Sequence, residues 1–224
     1  MGIEIINSNP DILKKVIDRA KLDSEQYYRD NPDSLIPPFE KELRELGFDF
    51  EISNQTYGFM PKHKDVILPI AIKYYQLAKK QKKDNEQNHF MRFFSFKGFE
   101  EVIPILLADY YSSETPDLTR WFISDCLYTI RSKKYVDEYL KIISNKSYGT
   151  DRQMIVLLMG TLKVEKAIPL LIELLEDEEV RLQSICALGY FKREEFRCYF
   201  ERFQDSKHPG WRKYSRSALK KLDS

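Results

Sequence analysis

An arginine returns four times down the C-terminal half of this chain, each time with an apolar residue seven positions on and another ten positions on. The instances are Arg120/Leu127/Ile130, Arg152/Met159/Leu162, Arg181/Leu188/Phe191 and Arg212/Leu219/Leu222, with the arginines 32, 29 and 31 residues apart. A period near thirty with helical spacing inside each unit marks stacked helical hairpins, because a single hairpin cannot bury its own apolar face. The prediction is an all-α fold: a right-handed superhelix of about five hairpins over residues 61–224, behind an N-terminal helical cap in residues 1–60.

Each unit reads as a first helix A and a second helix B. The A helices are expected over Val66–Ala78, Phe99–Tyr111, Tyr135–Ser144, Lys166–Leu175 and Glu194–Phe203. Pro69, Pro104 and Pro169 fall near their starts, where a missing N–H loses no intrahelical partner. In the B helices, offsets 3, 6, 7 and 10 from each arginine give Ile123/Cys126/Leu127/Ile130, Ile155/Leu158/Met159/Leu162, Ser184/Ala187/Leu188/Phe191 and Ser215/Ala218/Leu219/Leu222. These offsets share one side of a helix and so form the buried stripe. An earlier unit fits at Glu86 with Phe90, Phe93 and Phe96, the acid standing where the others have arginine. Thr115-Pro116-Asp117 and His208-Pro209 read as helix starts.

Residues 1–60 fall outside the period. Asn9-Pro10-Asp11 should start a helix running to about Lys21, and Pro37–Leu46 should form another, ended by Gly47. Phe48-Asp49-Phe50-Glu51-Ile52 alternates apolar and acidic residues, as an extended piece does.

Thirty-six Lys plus Arg against 35 Asp plus Glu leave a net charge of +1, without the basic excess of a general nucleic-acid binder. With 42% hydrophobic residues the chain can build a core and is not read as disordered. Met1-Gly2-Ile3-Glu4-Ile5-Ile6 carries no signal-peptide pattern, and no apolar run nears the roughly 18 residues of a membrane span. Cys126, Cys186 and Cys198 form no CxxC pair and read as reduced core thiols. A cytoplasmic protein that does not contact membrane is the expectation.

The phrase Lys166-Ala167-Ile168-Pro169-Leu170-Leu171-Ile172-Glu173-Leu174-Leu175-Glu176-Asp177, then Val180-Arg181 and Ala187-Leu188-Gly189, resembles the HEAT repeat family, particularly short bacterial HEAT-like repeats of armadillo-type fold. That family's recurrent turn Asp and helix-B Arg are matched by Asp117/Arg120, Asp151/Arg152, Asp177/Arg181 and Asp205/Arg212, the last irregularly spaced. The segment from Lys146 to Met154 further resembles an uncharacterised group of bacterial HEAT proteins. The resemblance covers about residues 61–224 and implies a scaffold whose B helices line a concave surface. It does not imply one role, because such scaffolds host many.

Two faces of the B helices are candidate sites. The arginine ladder could bind phosphates, but its regular pairing with Asp favours a structural role, each Arg bonding turn carbonyls or the neighbouring unit's Asp and so holding hairpins in register. Offsets 1, 5 and 8 turn away from the stripe by helical rotation. They give Gln87, Met91 and Phe94, then Trp121, Asp125 and Tyr128, then Gln153, Leu157 and Gly160, then Leu182, Cys186 and Gly189. A face so rich in aromatic and aliphatic residues suggests either a protein-binding groove, with Met91, Phe94, Trp121, Asp125, Tyr128, Gln153 and Leu157 as its residues, or a strip buried by strong curvature or by the N-terminal segment. Asp125 is expected to orient a partner's Lys or Arg. The basic residues of the last helix, Lys207 to Lys221, read as the solvated face of a terminal repeat.

No catalytic constellation is found: His63, His89 and His208 are isolated, and no HExxH, Walker loop or nucleophile elbow occurs. No cofactor or metal is expected. Trp121 and Asp125, four residues apart, bring the chain nearest to an enzyme, since some bacterial HEAT-like proteins resemble DNA glycosylases using Trp and Asp on the concave face. Such enzymes need a strong phosphate-binding surface. The sequence therefore reads as a non-enzymatic binding scaffold or adaptor, with an inhibitor or immunity-type protein among the possibilities. The alternative is a HEAT-like glycosylase or nucleic-acid-binding protein.

Overall fold

The computed structural model describes Lys14, Leu22, residues 25–48 and residues 60–223; the expected helix from Asn9 to Lys21, apart from Lys14, and the expected extended piece after Phe48 lie outside them. The described residues are helical and turn-forming, without a strand among them. They divide into two compact units, the first ending at Phe93 and the second beginning at Phe94.

In the first unit, residues 25–30 are helical, followed by α1 (Ile36–Glu45), α2 (Lys64–Lys80) and α3 (Asp84–Met91). Pro37 opens α1, and Gly47 closes it with φ +86°. Its N–H bonds Arg44 O while Phe48 N–H bonds Leu43 O, the double closure that satisfies the last-turn carbonyls. Pro69 lies inside α2 rather than in its first turn, so α2 begins further upstream of its proline than the other A helices do. The core is aromatic. Phe39 meets Tyr74, Phe90 and Phe93 edge-on at centroid distances of 5.3, 5.1 and 4.8 Å, the geometry that aligns ring edges with ring faces.

The second unit is a run of helical hairpins. Its first helices are α4 (Ile103–Tyr111), α6 (Val136–Ser144), α8 (Ile168–Glu173) and α10 (Arg197–Glu201). Its second helices are α5 (Asp117–Ile130), α7 (Gln153–Thr161), α9 (Arg181–Gly189) and α11 (Pro209–Leu222). Each first helix packs on the second helix of its own hairpin, and successive second helices pack on one another: α5 on α7, α7 on α9, α9 on α11. Pro104 and Pro169 sit in the first turn of α4 and α8, each behind a short 3-10 turn.

The buried stripe falls where the spacing puts it. Ile123, Leu127, Ile155, Leu158, Met159, Ala187 and Leu188 are fully shielded, and Ser184 and Ser215 occupy the same row. Leu219 and Leu222 are half-buried, as expected for the last helix of the run. Gly160 shows how close the helices come: a Cβ there would stand 2.3 Å from Ala187 Cα. The second helices α5, α7 and α9 are followed by Arg131, Lys163 and Lys192 in the left-handed region, at φ 60, 51 and 54°. Lys163 N–H bonds Gly160 O and Val164 N–H bonds Met159 O, so this turn closes as α1 does, with a cation at the negative helix end in place of glycine.

The arginine ladder is built into this packing, but its acid partners are staggered. Arg120 pairs with Asp117 at 2.8 Å, as the sequence predicts, and also reaches Asp151 at 3.3 Å. Asp151 thus belongs to Arg120, not to Arg152, and Asp177 belongs to Arg152 at 2.7 Å, not to Arg181. Arg181 crosses to the next hairpin by laying its guanidinium 4.3 Å from the Trp211 ring centroid, and Asp205 pairs with Arg216 instead of Arg212. The cause is reach. An arginine at a helix start projects over its own turn toward the start of the following helix, where that hairpin's acid lies.

Candidate functional site

The arginines are committed to backbone carbonyls. Arg120 donates to Tyr110 O, Ser112 O and Thr115 O; Arg152 to Ile143 O and Gly149 O; Arg181 to Leu175 O and Glu176 O; Arg212 to Ser206 O. These carbonyls lie at and beyond first-helix C-termini, which carry partial negative charge. Arg152 is fully buried, and burial acts first on Asp177, raising its carboxyl, but Arg152's hydrogen bond and charge outweigh this and hold it below its ordinary value. A ladder spent in this way offers no row of free cations for phosphates.

On the opposite side, Trp121, Asp125 and Tyr128 lie along α5 and Gln153 and Leu157 along α7, each half-buried. Trp121 meets Phe122 edge-on at 5.7 Å, and the Arg131 guanidinium lies 5.5 Å from the Tyr128 ring centroid. Gln153 donates its side-chain amide to Glu179 O at 2.8 Å, so that group is engaged with the turn before α9. Burial alone raises the Asp125 carboxyl above its ordinary value, and among the described residues Asp125 has no hydrogen bond or ion pair.

Five of the expected outward positions, Gln87, Met91, Phe94, Gly160 and Gly189, are buried instead. Met91 and Phe94 are each 1% exposed. Helix α3 ends at Met91, so counting by helical rotation to Phe94 runs past the helix. In α3 itself Glu86, Gln87, Asn88, Phe90 and Met91 are all buried, leaving too narrow an outward face for Met91. Gly160 and Gly189 are buried because their row is the contact between successive second helices, Gly189 facing Ala218 as Gly160 faces Ala187. Of the helix starts, Thr115 does not cap α5: its hydroxyl donates to Asp109 O at 2.7 Å. His208 does cap α11, its Nδ1 accepting from Trp211 N–H. Of the three thiols only Cys126 is a core residue; Cys186 is half-buried and Cys198 exposed.

The spacing also missed part of the outward face. Tyr190 is 39% exposed, and its phenol is held above its ordinary value first by burial and then by Tyr128 and Cys186 nearby. A shallow groove of about 110 Å³ continues there, lined by Cys186, Gly189, Tyr190, Tyr214, Ser217 and Lys221 among others. Tyr190 stands just past the end of α9, one position beyond the last outward offset counted, which is why a helical count passes it over.

Burial pushes the Cys186 thiol up to about 11, so it is protonated at neutral pH and is a weak nucleophile. Among the described residues no three His, Cys, Asp or Glu side chains gather as metal ligands, and no helix is long and apolar enough to cross a membrane. The face holds aromatic rings, one uncompensated carboxylate and few polar groups, which suits it to binding. No protein-family model, curated protein or solved structure matches this chain.

Proposed function

We propose that the chain is a HEAT-like solenoid, a right-handed superhelix of helical hairpins that acts in the cytoplasm as a non-enzymatic protein-binding scaffold or adaptor. An inhibitor or immunity-type role falls within this reading. The staggered Arg–Asp links and the stacking of α5, α7, α9 and α11 support the solenoid. The observation that carries the binding role is the outward face of these helices, where Trp121, Tyr128, Leu157 and Tyr190 stand part-exposed with little charge among them. Aromatic residues dominate interface energetics because they bury large rigid areas at low entropic cost.

The competing reading, a HEAT-like DNA glycosylase or nucleic-acid binder, rests on the Trp121 and Asp125 pair. Against it stand the net charge of +1 and a ladder whose arginines are engaged internally. Duplex DNA should bind no tighter than about 10⁻⁶ M at physiological salt. The decisive experiment pairs fluorescence anisotropy on duplex DNA with affinity capture by the parent chain and by Trp121→Ala and Tyr190→Ala variants of verified fold. A captured protein lost from both variants is expected. Tight, steeply salt-dependent DNA binding, or capture indifferent to both substitutions, would overturn the reading.

A further inference from the structure

Carboxylates shielded in the second unit are matched with cations where the ladder runs: Asp151 with Arg120 and Asp177 with Arg152. Asp125 departs from this pattern. It is half-buried on α5, has no hydrogen bond or ion pair among the described residues, and is flanked on its own face by Trp121 one turn before and Tyr128 about one turn after. A carboxylate partly removed from water without a counter-charge costs stability, and folding alone gives no return for it. The flanking rings supply what a carboxylate lacks for holding a cation: π faces that attract an ammonium or guanidinium and exclude water. The Arg131 guanidinium already lies 5.5 Å from the Tyr128 ring centroid, so that ring accepts a cation from one side.

We infer that Asp125, between Trp121 and Tyr128, is the receptor for a cationic side chain, Arg or Lys, that a protein partner inserts as its anchor. The inference rests on the reading of this face as the partner surface and names the chemistry of what it takes. The guanidinium is the better fit, since its plane can lie on an indole while its paired N–H groups meet the carboxylate. Charge complementarity selects the occupant: an apolar or acidic anchor would leave Asp125 uncompensated on binding.

The test is selection of random twelve-residue peptides displayed on phage against the full chain, followed by titration of the recovered peptides against variants. Peptides sharing one Arg or Lys are expected, with binding weakened at least tenfold by Asp125→Asn and by replacing that basic residue with Gln. Asp125→Glu should recover part of the loss. Peptides that lose binding with Tyr128→Ala or Leu157→Ala but not with Asp125→Asn would overturn the cationic anchor and leave the partner surface standing. Peptides indifferent to all three variants, or no peptides at all, would remove both. A duplex carrying a cationic N-alkylated base, bound tightly by the parent and lost in Asp125→Asn, would replace the protein partner by nucleic acid.

Discussion

Glu86 and Arg152 hold the same place relative to the apolar stripe of a second helix, in different units, and carry opposite charges. Both are buried, at 5% and 0% exposure. Arg152 donates to Ile143 O, a carbonyl in the last turn of α6, and pairs with Asp177. Glu86 accepts the Leu35 N–H at 3.0 Å, at the start of α1. The difference teaches what fixes the sign. A helix C-terminus leaves carbonyls unpaired and needs a donor, whereas a helix N-terminus leaves N–H groups unpaired and needs an acceptor. In each unit the position carries the charge that its nearest loose helix end requires.

The most disruptive way to probe this is to delete the donor. Arg152→Ala strands two carbonyls and a part-buried Asp177, and should cost about 3–5 kcal/mol in urea unfolding. Adding Asp177→Asn should return part of that loss, because the stranded charge goes with it. A cost under about 1 kcal/mol would show that water replaces the guanidinium and that the ladder is decoration.

A comparison within the second unit comes next. Gly160 and Gly189 share a register, but a methyl at Gly160 would press on the Ala187 backbone at 2.3 Å, while at Gly189 it would meet Ala218 Cβ at 3.3 Å. Backbone yields far less readily than a neighbouring methyl. Gly160→Ala should lose about 1–3 kcal/mol, and Gly189→Ala under about 1 kcal/mol. Equal midpoints in thermal unfolding would mean that α7 and α9 are not held as closely as drawn.

Glu86 should be gentler than Arg152, since it satisfies a single N–H. Glu86→Ala is expected to cost about 1–3 kcal/mol, and Glu86→Gln, which keeps an acceptor oxygen, less than half as much. If Gln were as harmful as Ala, the carboxylate charge rather than the hydrogen bond would be what the site uses.

Much of the helical layout can be read from the residues, and the reasons for what cannot are local. The offset of seven located Leu127, Met159 and Leu188 because side chains 3.6 to a turn must share a face. The same count failed at Phe94 because nothing in the spacing says that α3 stops at Met91. That each arginine bonds turn carbonyls or the neighbouring hairpin's Asp is legible in the ladder, but the assignment of Asp151 and Asp177 to particular arginines is not. Proximity along the chain pairs each acid with the nearest arginine, whereas a long side chain reaches across to the following hairpin's acid. Glu86 was visible as an exception to the ladder, but its partner is a backbone N–H 51 residues away, which no pattern of side chains encodes. At the candidate site, Trp121, Asp125, Tyr128 and Leu157 lie on one half-buried face as counted, and Tyr190 was missed at a helix end.

Asp125 sharpens the comparison from the other side, as a shielded charge that no helix end requires. Burial holds its carboxyl above the ordinary value of 3.8, so the folded chain favours the protonated form more than the unfolded chain does. Its contribution to stability therefore falls as pH rises from about that ordinary value through the raised one, and the deficit is complete at neutral pH. Asp177 has the opposite sign: held below its ordinary value, it stabilises at neutral pH and loses that contribution as pH falls through the lowered value. Asp125→Asn should accordingly stabilise the chain at pH 7 by about 0.5 kcal/mol or more, the gain shrinking toward zero near pH 4. Asp177→Asn should destabilise at pH 7, with that loss shrinking as the solution is acidified. Thermal midpoints of the two variants against pH test both signs in one series. A destabilised Asp125→Asn at pH 7 would mean that the carboxylate has a favourable partner within the fold, and Asp125 would then be a structural residue like Asp177 rather than a charge kept ready for a ligand.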